Sequence, residues 1–171
     1  LAPEEQGTFD VAYARFVLEH VPDPQRVVTA MAAALRVGGR LVLEDDDHET
    51  FQLWPEPPGV MALWRAYTRT YDRMGADPYV GRRMVQLMSA AGVASRRIAQ
   101  LPFGACSGDP TFVPLVVNLG GLFDSAREAI LATGAFDARG FDAAQEALTA
   151  FGERDDAAFW YTRRYAEGVK G

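Results

Sequence analysis

Six consecutive residues, Glu44-Asp45-Asp46-Asp47-His48-Glu49, put five carboxylates and one imidazole into a single short segment. Such groups can take a proton from a hydroxyl or amine, attract a cation, or hold a hard metal ion. If the segment is extended, Glu44, Asp46 and His48 face one side while Asp45, Asp47 and Glu49 face the other. A run of charge is usually a solvated loop, and Glu44 and Asp45, nearest the apolar residues before them, are the candidates for chemistry. No His-Glu-x-x-His or EF-hand pattern occurs, so no metal site is expected. The other imidazole, His20, has an unperturbed pKa near neutrality and could act as a general base. Its bland alternatives are a hydrogen bond to its own turn and plain surface exposure.

Trp64, Tyr67 and Tyr71 recur at helical spacing. With Phe51 and Trp54 they either line a substrate pocket or pack a core. In Asp77-Pro78-Tyr79-Val80-Gly81-Arg82-Arg83, two arginines stand at a helix start, against the favourable dipole arrangement. Their charge needs compensation, either from the acidic run upstream or from an anionic ligand. Trp64, Tyr67, Tyr79 and Arg82 are the candidate substrate-binding residues.

The elements that must position these groups follow from pattern. Phe9 to Ala14 reads as a short strand buried on both faces, as in a parallel sheet covered by helices. Asp23 supplies an N-cap and Pro24 an N1 residue for a helix with Val27, Val28, Met31 and Leu35 on its apolar face, and Gly38-Gly39 should end it. Leu41 to Leu43 is the next strand, and strand, helix, strand implies a right-handed crossover with parallel pairing. Residues 44–59 read as a loop rich in proline towards its end. Helices follow from Val60 to Met74 and from Val80 to Ala91, then a strand at Ile98 to Phe103. Residues 109–154 read as helices starting at Asp109-Pro110, Asp124 and Asp142, and Phe159 to Ala166 as a last, aromatic strand. The fold expected is α/β, whose ligands bind beyond the carboxyl ends of the strands.

With 171 residues, 49% hydrophobic and 23% charged, the chain suits one globular domain. A formal charge of −6 argues against nucleic acid or an anionic membrane surface as partner, since both need clustered Lys and Arg. The one cysteine, Cys106, allows no internal disulfide and no cysteine-based zinc site, which suits a cytoplasmic setting. No apolar run is long enough for a bilayer, and residues 1–8 lack the basic start and apolar middle of a signal peptide and read as a loop.

Phe9-Asp10-Val11-Ala12-Tyr13-Ala14-Arg15-Phe16-Val17-Leu18-Glu19-His20-Val21-Pro22-Asp23-Pro24, continued by Leu35-Arg36-Val37-Gly38-Gly39-Arg40-Leu41-Val42-Leu43-Glu44, resembles the middle of the class I S-adenosylmethionine-dependent methyltransferases, in their small-molecule, UbiE-like (type 11) branch. The resemblance is to the C-terminal half of that Rossmann-like fold, with residues 109–154 as a helical insertion before the last strand. The family's glycine-rich loop and acidic ribose-binding residue have no counterpart, so the chain is expected to start mid-domain and to be inactive by itself. The resemblance implies S-adenosylmethionine as cofactor, a small-molecule methyl acceptor, and Ala14, Arg15 and Phe16 along the methionine and sulfonium part of the cofactor. His20, Glu44 and Asp45 are the catalytic candidates. The alternative is a noncatalytic oligomerisation or binding module derived from the fold; a metal-dependent hydrolase built on the acidic run is a distant third. In the family, the strand matching Phe9 to Ala14 pairs with one that has no counterpart here. An open apolar edge recruits other chains, so a homodimer is expected.

Overall fold

The Asp23 side chain accepts the N–H of Arg26 and Pro24 occupies the first helical turn, so α1 (Pro24–Ala34) opens as its sequence predicts. This computed structural model describes residues 6–171; of the expected N-terminal loop, residues 1–5 lie outside the described residues. Helix α1 joins β1 (Phe9–Arg15) to β2 (Leu35–Asp45), and the two strands pair in parallel from Val11–Arg40 to Arg15–Glu44. A turn of 3-10 helix, Leu18–His20, follows β1.

Gly38 and Gly39 do not end α1. The helix stops at Ala34, and Leu35 is already extended at φ −72° and ψ 140°. The pairing with β1 jumps from Phe9–Leu35 to Val11–Arg40, so the glycines serve an irregularity inside β2. Gly38 there takes φ +77°, and a Cβ on Gly39 would stand 3.1 Å from the Phe9 carbonyl oxygen.

The remaining elements are β3 (Gln52–Trp54), α2 (Val60–Thr68), α3 (Thr70–Met74), α4 (Met84–Ala90), β4 (Val93–Cys106), α5 (Phe112–Ser125), α6 (Arg127–Ala132), α7 (Ala138–Gly152) and β5 (Ala158–Lys170). The expected loop at 44–59 therefore contains a 3-10 turn, His48–Thr50, and a short strand. The helix expected over 80–91 opens with a 3-10 turn, Val80–Arg83. Gly120-Gly121 and Asp124 lie inside α5, and Asp137 rather than Asp142 caps α7 by accepting the Gly140 N–H. The five-stranded sheet has the order β1-β2-β5-β3, with β4 also paired to β5; β5 runs antiparallel to β2 and to β3. This is a mixed α/β fold.

Two compact units divide the described residues: residues 6–49, 74–101 and 162–171 form one, residues 50–73 and 102–161 the other. The first has its core in Leu18, Val28, Leu35, Leu41, Leu43, Met84, Leu87 and Met88. The second is built on aromatic packing of Phe51, Trp64, Phe112, Phe123, Phe141, Phe151 and Phe159. β1 is not buried on both faces. Ala14 turns into the first unit's core, whereas Phe9, Val11 and Tyr13 are 44%, 52% and 55% exposed. Successive side chains of a strand point to opposite faces, and here one face meets the core while the other, with Phe9, Val11 and Tyr13, meets solvent. Among the described residues no helix is long and apolar enough to cross a membrane.

Candidate functional site at the carboxyl ends of β1 and β2

Parallel pairing brings the carboxyl ends of β1 and β2 side by side, and the acidic run leaves β2 there. Each carboxylate in it has its own set of partners. Glu44 accepts the Tyr13 hydroxyl at 3.1 Å and pairs with Arg163 at 2.5 Å and Arg15 at 3.4 Å. Asp45 is wholly buried; its Oδ2 accepts the N–H groups of Leu18 and Val17, at 2.8 and 3.2 Å, and its Oδ1 accepts that of Asp46. Burial pushes this carboxyl above its ordinary range, against the pull of the Leu18 and Asp46 N–H groups.

Asp47 is equally buried but meets two guanidinium groups. Arg82 reaches its Oδ1 and Arg164 its Oδ2, each at 2.7 Å. Burial pushes the carboxyl up, and the two arginines more than offset it, holding it below the usual carboxylate range. Arg82 also pairs with Glu49. The acidic run thus supplies the compensation that Arg82 needs at its helix start, and Arg83 takes Asp77.

With Asp45 and Asp47 fixed in this way, Asp46 and His48 come to the same side. His48 Nε2 lies 2.9 Å from Glu19 Oε2 and 3.8 Å from Asp46 Oδ2. Two backbone bonds seat the pair: the His48 N–H donates to the Pro78 carbonyl and the Gly81 N–H to the Asp46 carbonyl. Glu19 Oε1 is 3.4 Å from Nε2 of His20, so one carboxylate stands between two imidazoles. His20 is half exposed, whereas the side chains of Glu19 and His48 are each 4% exposed.

Ala14 is buried at the end of β1, and Arg15 and Phe16 follow it. Phe16 has φ +54°, a left-handed conformation uncommon for so bulky a side chain, while its N–H donates to the Glu44 carbonyl. The guanidinium groups of Arg15 and Arg163 lie 4.8 and 5.4 Å from its ring centre. Such a conformation persists only where its surroundings over-determine it, and it clusters at functional sites.

The first unit therefore brings together Ala14, Arg15, Phe16, His20, Glu44 and Asp45, with Arg82 tied to the same acidic run. Tyr79 stacks under the Arg82 guanidinium at 5.1 Å. Trp64 and Tyr67 belong to the second unit, 5.5 Å apart between ring centres, with Phe51 4.4 Å from Trp64 and with Phe123 beside both. Glu19, Arg163 and Arg164 escaped the sequence reading. The signal for the arginines was available: two adjacent cations in a β-prone run point to opposite faces, and each needs an acid. They find Glu44 and Asp47 respectively.

Residues 1–95 match the family model for a methyltransferase domain. Methyltransferase str2 of Strobilurus tenacellus is 29% identical over 133 residues, 75% of this chain and 46% of that protein. The ubiquinone biosynthesis O-methyltransferase of Xanthomonas euvesicatoria is 46% identical over 43 residues, 25% of this chain and 18% of that one. The chain thus spans less than half the length of these curated relatives. The crystal structure of a candidate methyltransferase from Bacillus halodurans C-125 superposes with a TM-score of 0.57 at 13% identity, covering 99% of this chain and 73% of that one.

Proposed function

The chain belongs to the methyltransferase-domain family, and from that premise we propose that it serves S-adenosylmethionine-dependent methyl transfer to a small-molecule acceptor. The observation that carries this reading is the convergence of Ala14, Arg15, Phe16, His20 and Glu44 at the carboxyl ends of two parallel strands, inside the residues that match the family.

The residues there fit such a cofactor. Arg15 is a half-exposed cation suited to a carboxylate, and Phe16 offers an apolar wall in a backbone conformation its surroundings enforce. Ala14, Arg15 and Phe16 would hold the methionine portion. When bound, S-adenosylmethionine supplies a methyl group on a sulfonium that is already a good leaving group. What remains for these residues is alignment and exclusion of water. His20, open to solvent with Glu19 beside its Nε2, is placed to accept a proton from an acceptor hydroxyl or amine. Asp45 acts by holding the turn that carries His20, and Glu44 by holding Arg15. Tyr79 and Arg82, both in the first unit, are proposed to bear on acceptor binding. No glycine-rich cofactor loop lies among the 171 residues, and the chain by itself is proposed to be inactive.

The test uses the native polypeptide that carries these residues, S-adenosylmethionine labelled in its methyl group, and a panel of small hydroxyl, amine and carbon-acid acceptors. Label recovered in a small-molecule product supports the reading. A native polypeptide that neither binds the cofactor nor transfers label to any acceptor overturns it.

A further inference from the structure

We propose that Glu19, Asp46 and His48 form a binding site for a divalent first-row transition cation. The proposal stands independently of methyl transfer. One carboxylate oxygen from Glu19, one from Asp46 and a ring nitrogen of His48 lie within 4.8 Å of one another. Ligand atoms bound to one ion at about 2.1 Å stand roughly 3.0–3.4 Å apart. The separations of 2.9 Å from Glu19 to His48 and 3.8 Å from His48 to Asp46 straddle that range, so small side-chain shifts admit an ion.

The chemistry of the set points the same way. A single imidazole nitrogen of His48 faces both carboxylates. Two carboxylates with an imidazole suit Mn²⁺, Fe²⁺ or Zn²⁺ better than a soft ion, and burial of Glu19 and His48 favours dehydrating it.

The scaffold holds the three ligands in place before any ion arrives. Glu19 sits in the Leu18–His20 turn, which the Asp45 carboxylate fixes through the Leu18 N–H. Asp46 and His48 are set by their backbone bonds to Gly81 and Pro78, and Asp47 between them is pinned by Arg82 and Arg164. The Asp46 side chain, 14% exposed, gives the site its opening to solvent. Buried acids, with the arginines that pair with Asp47, thus support the ligand set, as metal sites require of their surroundings.

The 171-residue chain, freed of metal by chelation and dialysis, is titrated with Co²⁺ and then with Zn²⁺. One equivalent of Co²⁺ should bind with visible d–d absorption that Zn²⁺ abolishes. Glu19→Gln, Asp46→Asn and His48→Gln should each weaken binding at least tenfold, and Glu49→Gln, at the exposed end of the same run, should leave it unchanged. Absence of saturable uptake, or equal weakening by Glu49→Gln, overturns the proposal and leaves the trio a closed hydrogen-bonded cluster. If the variants fail to fold by circular dichroism, Mn²⁺ added to the unaltered chain reads the site directly. Selective broadening of the His48 ring resonances supports it; uniform or absent broadening overturns it.

Discussion

The Asp45 carboxylate, at the end of β2, accepts the backbone N–H of Leu18 at 2.8 Å, 27 positions back along the chain. Both residues are wholly buried. A strand end thereby holds the first turn beyond the neighbouring strand, and with it Glu19 and His20, through a single side chain.

Asp45→Ala removes the acceptor for three N–H groups, those of Val17, Leu18 and Asp46. A buried donor left without an acceptor costs about 1–3 kcal/mol. Asp45→Ala should therefore lower stability by at least that amount. Asp45→Asn retains one carbonyl acceptor and no longer buries a charge, and should lose less. Urea unfolding of the three proteins decides the order; a loss in Asn equal to that in Ala would assign the effect to the charge.

Gly81 is squeezed between the acidic run and β5. A Cβ there would stand 2.7 Å from the Asp46 carbonyl oxygen and 2.8 Å from Arg164 Cγ. Gly81→Ala must push the 46–48 backbone away and strain the Arg164–Asp47 pair, with an expected loss of about 1–3 kcal/mol from overpacking. Gly92, whose Cβ would meet nothing within 4 Å, supplies the comparison for pure backbone strain at φ +74°. Denaturation midpoints of both alanine variants measure it.

Away from the site, the Tyr165 hydroxyl donates to Glu167 Oε2 at 2.8 Å, and Arg40 reaches Oε1 at 2.6 Å. The tyrosine hydrogen bond, helped by Arg40, holds the Glu167 carboxyl below its ordinary value, and the same bond pushes Tyr165 up. A depressed folded pKa means that the carboxylate favours folding above its unfolded pKa, about 4.3, and that this contribution fades as pH falls through the lower folded value. Carboxyl NMR titration should show Glu167 titrating low, and Tyr165→Phe should move it up. An unchanged titration in that variant would leave the arginines, Arg40 and Arg97, as the cause.

His20 separates function from stability. Its imidazole is 55% exposed, so His20→Asn should shift unfolding free energy by no more than about 0.5 kcal/mol. A general base contributes roughly 10²–10⁴-fold, so turnover of the native polypeptide should fall at least tenfold with KM for the acceptor little changed. Unaltered turnover would remove His20 from the chemistry and leave it a surface residue of the turn.

Much of this arrangement was legible in the residues themselves. The cap at Asp23-Pro24 and the strand-helix-strand unit follow from local rules of capping and period. The acidic run is extended only to Asp45 and turns at His48–Thr50, so the expected alternation holds in part: Asp46 and His48 share a side and Asp47 and Glu49 share Arg82, but Asp45 bonds the turn that carries Glu19 and Glu44 pairs with Arg163. What sequence could not give was long-range pairing. Arg163 and Arg164 meet acids some 117 or more positions away, and nothing local chooses which. The end of α1 departs from its local signal for a related reason. Gly38-Gly39 looks like a helix stop, but sheet pairing of Leu35 with Phe9 ends the helix earlier and leaves the glycines to the irregularity that follows.

The edge of β1 gives the last prediction. Phe9, Val11 and Tyr13 project from a strand at the end of the sheet order, and all three are exposed. An apolar strand with an open edge pairs readily with another, and a two-fold antiparallel contact satisfies both copies at once. The 171-residue chain is therefore expected to self-associate, most simply as a dimer. Light scattering across a concentration series should show mass rising from one chain towards two. Val11→Lys, which places a charge in the middle of the edge, should hold the chain monomeric without altering its circular dichroism. A wild-type chain that stays monomeric at the highest concentration overturns the expectation, and a Val11→Lys dimer as tight as wild type places the contact on another face.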